Sequence, residues 1–399
     1  LGWGGFNLRY TPKSELEQRW AKLQELLKQH GLDGAVIIQN ADLFYFSGTI
    51  QRSHLFIPAE GRPALLVKKT LERAAEESGL ETITRLESLK EMPAVLQSHS
   101  RRPIKKLGFE LDVLPAAQYF RYQKLFSPVE IVDASPLMRT VRMVKSAYEL
   151  QILKEAAEFH GEVFSMIRET LQEGITELEL AGLIESYSRK KGHAGLLRVR
   201  GFNQDLVFVH ICSGRNVVPS YFDGAVGGKG VSPAYAQGAC DKPIGRNEPI
   251  LVDYGFVHDG YMVDQTRIFC IGELPDHLTR AQKAALDILE RMKKAAKPGV
   301  ASGKLYDLAR QTADESPFGK HFMGFPDPVA FVGHGIGIEL DELPVFAHGF
   351  DTPLEEGMVI ALEPKFVFPE GAVGVENTYL LTSQGLETMT VFEEGIIYV

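Results

Sequence analysis

The stretch LVDYGFVHDGYMVDQTRI, residues 251–268, constrains the fold more than any other in this chain. Apolar residues flank Asp253 and precede Asp264, in runs that read as β-strand. Between them His258, Asp259 and Gly260 supply a tight turn. A hairpin closing there brings the two carboxylates together on a partly buried sheet. Two such anions repel each other and both lose water, so the arrangement asks for a cation between them.

The pattern occurs twice. Glu363 follows the uncharged run MVIAL, and Glu376 sits in GVENTYLL, with a Pro/Gly turn at 369–371 between them. His334 stands among glycines in HGIGIELDELP, either as a metal ligand or as an ordinary histidine in a glycine-rich turn. Taken singly, each residue has an ordinary explanation as a cap, an ion-pair partner or a loop residue. Taken together, four carboxylates and one imidazole are the wrong set for structural zinc. They suit two hard or borderline divalent ions, Mn²⁺, Co²⁺, Fe²⁺ or Zn²⁺, about 3–4 Å apart, which activate water and polarise a carbonyl.

Elsewhere the periodicity changes along the chain. Leu16, Trp20, Leu23, Leu26 and Leu27 share one face of a helix over 14–30. GLDGAVII reads as a buried strand ended by Asn40, and YFSG, 45–48, as a strand-to-turn packing segment. A strand at RPALLVKK, a helix at LERAAEES and a strand at KKLGFE complete an alternating α/β texture over 10–135. The texture shifts near 136–144, dividing a domain 1–138 from a domain 139–399. The second reads as two helices (147–170 and 177–190, with Thr176 as cap and Glu177 in the first turn), strands, two helices (277–296 and 302–314), then strands. That is an α+β pattern, and it hints at two similar halves.

Composition removes several classes. The three cysteines, Cys212, Cys240 and Cys270, form no CxxC pair, which argues against a disulfide framework or a thiolate zinc site and for a reducing compartment. The formal net charge of -9 argues against nucleic-acid binding. Apolar runs are strand-length, so no membrane span is expected. LGWGGFNLRY lacks the basic and apolar regions of a signal peptide, and a cytoplasmic location is expected.

At this point the residues resemble a known family, the pita-bread-fold metallopeptidases that include methionine aminopeptidase, aminopeptidase P, prolidase and the metal-free creatinase. The resemblance runs over nearly the whole chain. GLDGAVIIQNADLFYFSG is similar to the opening of a creatinase-type N-terminal domain, and RTVRMVKSAYELQILKEAA to the helix that opens the catalytic domain. The family's order Asp, Asp, His, Glu, Glu falls on Asp253, Asp264, His334, Glu363 and Glu376. The resemblance implies that Asp253 holds one ion, His334 and Glu363 hold the other, and Asp264 and Glu376 bridge. It implies Glu363 as the acid–base residue, and Thr266 and Arg267 as supports of the bridging acid. It also implies two divalent ions (Mn²⁺ or Co²⁺, with Zn²⁺ or Fe²⁺ as alternatives), short peptide substrates cut near the amino terminus at Xaa-Pro bonds, and a homodimer.

Two positions depart from the family. Asp341 stands where the motif has a second histidine, and Tyr221, in SGRNVVPSYFDG, where it has another. An aspartate does not reproduce imidazole donation at neutral pH unless its pKa is raised. His210 and His258 are the histidines available to compensate, and Phe222 is a candidate pocket wall. Lys365, directly after Glu363-Pro364, stands where the peptidases often have glycine; it either meets a substrate carboxylate or pairs with Glu370 at the surface. These departures keep two rivals open: a metal-dependent non-peptide hydrolase or lyase, and a binding protein that has lost catalysis.

Overall fold

A computed structural model describes residues 8–222 and 224–399. Most of the segment read for a leader, and Asp223 of the SGRNVVPSYFDG stretch, lie outside the described residues. Two compact units are present: the chain up to Arg142 joined by Arg200–Phe202, and Met143–Val199 with Asn203–Val399.

The first unit is built on strands β1 (Gly34–Ile37), β2 (Ser53–Pro58), β3 (Ala64–Val67), β4 (Ile83–Arg85), β5 (Lys106–Phe109) and β6 (Glu130–Asp133). They form one sheet in the order β4-β3-β2-β1-β5-β6, with β1 parallel to β5 and antiparallel to β2. The helix Lys13–Gln29 buries Leu16, Trp20, Leu23 and Leu27, as its spacing predicts. Asn40 does not end a strand; it opens a helix, Asn40–Ser47, so YFSG is helical up to its glycine. The cause is local. The Gln39 side chain accepts from the N–H groups of Ala41 and Asp42, and Gly48, at φ 79°, closes the far end.

In the second unit, helices Ala147–Thr170 and Glu177–Lys190 each begin with a capping box, Ser146 with Glu149 and Thr176 with Glu179. Strands β7 (Val209–Ser213), β8 (Ile250–His258) and β9 (Tyr261–Cys270) follow, then helices Asp276–Ala295 and Ser302–Glu315. The remaining strands are β10 (Phe331–Gly335), β11 (Glu342–Ala347), β12 (Val359–Leu362), β13 (Lys365–Phe368), β14 (Gly371–Gly374), β15 (Asn377–Thr382), β16 (Gly385–Thr388) and β17 (Ile397–Tyr398). They pair as β17-β9-β8-β7, β11-β10-β12-β15-β16 and β13-β14. Leu278, Ile288, Leu289 and Leu305 of the helices pack into one core with Ile360, Leu362, Phe366 and Leu381 of the strands.

The β8–β9 hairpin turns on Asp259 at φ 45° and Gly260 at φ 86°, the left-handed pair that a two-residue hairpin loop needs. Its register sets Asp253 opposite Thr266 and Gly255 opposite Asp264. The two aspartates therefore stand diagonally on one face of the sheet.

Candidate metal centre

Glu363 and Glu376 meet where the chain passes between sheets. Leu362 of β12 pairs with Asn377 of β15, and Lys365 of β13 pairs with Gly374 of β14, so each glutamate falls in the gap between two paired strands. His334 is not in a turn. It lies within β10, paired with Val345 and Ala361 on either side. The neighbouring glycines admit crowded backbone: a Cβ on Gly335 would lie 2.1 Å from the Leu343 carbonyl oxygen, and one on Gly333 2.4 Å from that of Ala361.

These elements bring a ligand atom each of Asp264, His334 and Glu376 within 4.8 Å of one another, and all three residues are buried. Two carboxylates and an imidazole at that spacing can hold a divalent ion. Asp253 and Glu363 belong to the same cluster but face a different cation. The Lys365 ammonium lies 2.7 Å from Glu363 Oε2, 3.0 Å from Glu376 Oε2 and 3.1 Å from Asp253 Oδ2. Lys365 is thus buried among the acids, and Glu370 pairs instead with His277 at 2.5 Å. A set of donors for two ions is therefore not free here: one part of it is already engaged by a protein cation.

The electrostatics divide the cluster in the same way. Burial, then the charges of Glu376 and Asp253, push the Asp264 carboxyl well above the usual carboxylate range. Burial also pushes Glu376 up to about 7, against the pull of Lys365. Burial works against Asp253 ionising too, but the Lys365 charge, helped by His210, holds it below its ordinary value. Lys365 loses water on burial, yet Asp253, Glu363 and Glu376 keep it well above an ordinary lysine. Burial opposes the His334 charge as well, but Asp341 and then Glu363 raise it.

A polar frame holds the acids. The Thr266 hydroxyl donates to Glu376 Oε2 at 2.7 Å, and Arg267 donates to the Glu376 carbonyl at 2.8 Å and to Asn377 Oδ1 at 2.7 Å. Thr378 holds the backbone of Asp264, donating to its carbonyl and accepting from its N–H, both at 2.9 Å. Its signal was the polar pair Asn377-Thr378 inside an apolar run. Glu177, read as a helix-start residue, is a buried hub: it accepts from the Ser213 N–H at 2.7 Å, the Asn216 side chain at 2.6 Å and the Cys240 N–H at 3.0 Å. Glu342 accepts from Ile338 N–H at 2.9 Å and pairs with Lys145 at 3.0 Å, fixing the loop after His334.

The cluster lies at a cleft of about 100 Å³, lined also by Phe208, Phe222, Phe331, Leu340 and Asp341. Asp341 Oδ1 stands 3.6 Å from His334 Nδ1. His210 lines the cleft opposite Asp253, and burial drops its pKa to about 4, so it is neutral at pH 7. His258 is outside it, paired with Glu155 at 3.2 Å. Tyr221 is 55% exposed and does not line the cleft; its neighbour Phe222 does.

With this geometry in view, likeness to known proteins places the chain. Residues 151–383 match the model of metallopeptidase family M24, and residues 19–144 that of the creatinase/prolidase N-terminal domain. The chain belongs to metallopeptidase family M24: it is a metal-dependent peptidase with a pita-bread catalytic fold that follows a creatinase-type α/β domain in the sequence. Within that family it stands in the creatinase, aminopeptidase P and prolidase branch. It is 26% identical to an Xaa-Pro dipeptidase of Pyrococcus furiosus over 96% of this chain and 100% of that one. It matches the structure of an Xaa-Pro dipeptidase from Bacillus anthracis with a TM-score of 0.82 at 25% identity, covering 96% of this chain and 100% of the other. It matches an X-Pro aminopeptidase from Thermotoga maritima with a TM-score of 0.78 at 25% identity, covering 95% and 99%. No helix among the described residues is long and apolar enough to cross a membrane.

Proposed function

We propose that this metallopeptidase hydrolyses short peptides near their amino terminus, at Xaa-Pro bonds. The observation that carries the reading is the buried Asp264, His334 and Glu376 set at the floor of a cleft with phenylalanine walls. The aromatic residues lining the cleft suit a proline ring. The names of the Pyrococcus and Bacillus relatives support the bond assigned.

Asp264, His334 and Glu376 would hold a divalent ion, in our reading Mn²⁺ or Co²⁺ with Zn²⁺ or Fe²⁺ as alternatives, which would supply Lewis acidity toward the scissile carbonyl and lower the pKa of water. Glu363 is the acid–base residue. Its Oε1 lies 3.9 Å from His334 Nε2, while its Oε2 is fixed by Lys365. Glu363 takes the proton of the attacking water and delivers it to the leaving amine. Phe208, Phe222 and Phe331 exclude bulk water, which strengthens the charge interactions in the cleft. The same reading assigns domains 1–138 and 139–399, a homodimer and a cytoplasmic location, the last supported by three cysteines that are all free.

A second reading, a metal-dependent non-peptide hydrolase or lyase, is favoured by one observation: Asp341, not an imidazole, stands beside His334. Mass spectrometry of products separates the two. Metal-loaded protein is incubated with Xaa-Pro dipeptides, Xaa-Pro tripeptides and proline-free controls. Release of the first residue from the proline peptides alone is expected. Cleavage of none of them, with metal bound, would transfer the assignment to the second reading.

A further inference from the structure

We infer that the Lys365 ammonium takes the place of the second divalent ion, so that each chain binds a single metal ion, at Asp264, His334 and Glu376. The inference rests on reading this cluster as a metal site, not on which bond is cut.

Geometry comes first. Metal–oxygen bonds to carboxylates run to about 2.0–2.2 Å. An ion bonded to any two of Asp253 Oδ2, Glu363 Oε2 and Glu376 Oε2 would compete for oxygens that the Lys365 nitrogen already engages, since it stands 2.7–3.1 Å from all three. For the ion to enter, the lysine must leave, and the fold opposes that. Lys365 is 3% exposed. Its backbone pairs with Gly374 across the β13–β14 hairpin, and its carbonyl accepts from the Met323 N–H at 2.9 Å. Its stem lies so close to Gly374 that a Cβ there would sit 2.7 Å from both Lys365 Cα and Cγ. The opposing strand therefore carries a glycine where the lysine stem passes.

Charge gives an independent reason. The four carboxylates of Asp253, Asp264, Glu363 and Glu376 are balanced by two divalent ions when no other cation is present. With Lys365 in place, one divalent ion brings the positive charge to three. A second ion would bring it to five and set two cations against an ammonium in a buried site.

The test is metal stoichiometry. Chelator-stripped protein is loaded with excess Mn²⁺, desalted and assayed by plasma mass spectrometry and electron paramagnetic resonance. The unaltered protein is expected to hold one ion per chain with the hyperfine pattern of isolated Mn²⁺. Lys365→Gly is expected to hold two, with the broadened spectrum of an exchange-coupled pair. Lys365→Met keeps the stem and removes the charge, and so guards against a folding defect of the glycine variant. In chelator it should melt below the unaltered protein, with Mn²⁺ closing the gap. Two ions in the unaltered chain, or one in both variants when circular dichroism shows them folded, overturns the inference. A single ion with no peptide cleavage leaves it standing and overturns the Xaa-Pro reading. Cleavage with two ions does the reverse, and no bound ion overturns both.

Discussion

In the first unit Asp42 is buried against the guanidiniums of Arg142 and Arg200, with the buried Glu110 beside it; in the second, Asp253, Glu363 and Glu376 are gathered around one ammonium, with Asp264 in the same cluster. Asp42 receives one guanidinium on each oxygen, both at 2.7 Å, and Arg200 also pairs with Asp112 at 2.6 Å. Glu110 accepts from the N–H groups of Ile38 and Gln39, and burial, followed by the Asp42 charge, lifts its carboxyl well above the usual range. Each ionised carboxylate there has a fixed protein cation. The second cluster has four acids, Lys365 and the imidazole of His334, and its Asp264 and Glu376 carboxyls are both raised. A balanced buried cluster serves the fold, whereas an under-neutralised one has a standing demand for a cation that the chain does not supply.

The comparison predicts that the two clusters fail in different observables. Asp264→Asn has the largest effect on function. It should abolish metal retention and lower peptide turnover by more than ~100-fold, the upper range for losing a mere supporting contact of a metal ligand. Full turnover in metal-depleted Asp264→Asn protein would sink the scheme. Arg142→Met acts on the other cluster. It leaves Asp42 with one guanidinium instead of two, and breaking a buried pair costs about 3–5 kcal/mol. Denaturant unfolding should register that loss while metal content per folded chain stays unchanged. A drop in metal content without a drop in stability would erase the distinction between the clusters.

Acid should weaken both units by one shared cause. Burial lowers His54 of the first unit to about 4, and His160 and His193 of the second to about 3 and about 4, from an ordinary value of 6.5. Between those folded values and 6.5 the unfolded chain binds more protons than the native one. This contribution to stability is therefore complete above pH 6.5 and is lost as pH falls toward 4 and then 3. Melting temperature should decline below pH 6.5, and a profile flat down to pH 4 would remove these histidines from the account.

What the sequence revealed follows the same divide between local and distant causes. The β8–β9 hairpin was legible because its turn chemistry, its alternation and its paired acids lie within eighteen consecutive residues, 251–268. Glycines around His334 were ambiguous, since a glycine that permits a turn and one that admits a neighbouring carbonyl look alike in sequence. The place of Lys365 left a faint signal. Lys365 opens a strand two residues after Glu363, and the two side chains meet at 2.7 Å. A lone lysine in a strand ordinarily faces solvent, and only the Gly374 partner across the hairpin shows why this one does not. That Arg200 joins the first unit left no local trace, because its partners Asp42 and Asp112 lie 158 and 88 residues away.

Smaller effects sharpen the contrast inside the second unit. Thr266→Val removes the hydroxyl that donates to Glu376 Oε2, and loss of such a support lowers metal affinity by about 10–100-fold. Competition with a chelator would read that change directly. The smallest effect belongs to Tyr221. The resemblance reads it at the position of a histidine, yet its ring is 55% exposed, outside the cleft, and edge-on to Phe222 at 5.5 Å. Exposed side chains away from a site shift energies by about 0.5 kcal/mol or less, so Tyr221→Ala should leave kcat/KM within about twofold. Phe222→Ala, one residue on, removes part of the cleft wall and should raise KM more than it lowers kcat. If the two substitutions act equally, the phenol reaches substrate when the cleft is filled, and the lost histidine has a functional successor in Tyr221. If only Phe222→Ala acts, that histidine has no successor at its own position, and of the two residues read in place of histidines it is Asp341, 3.6 Å from His334, that meets the cluster.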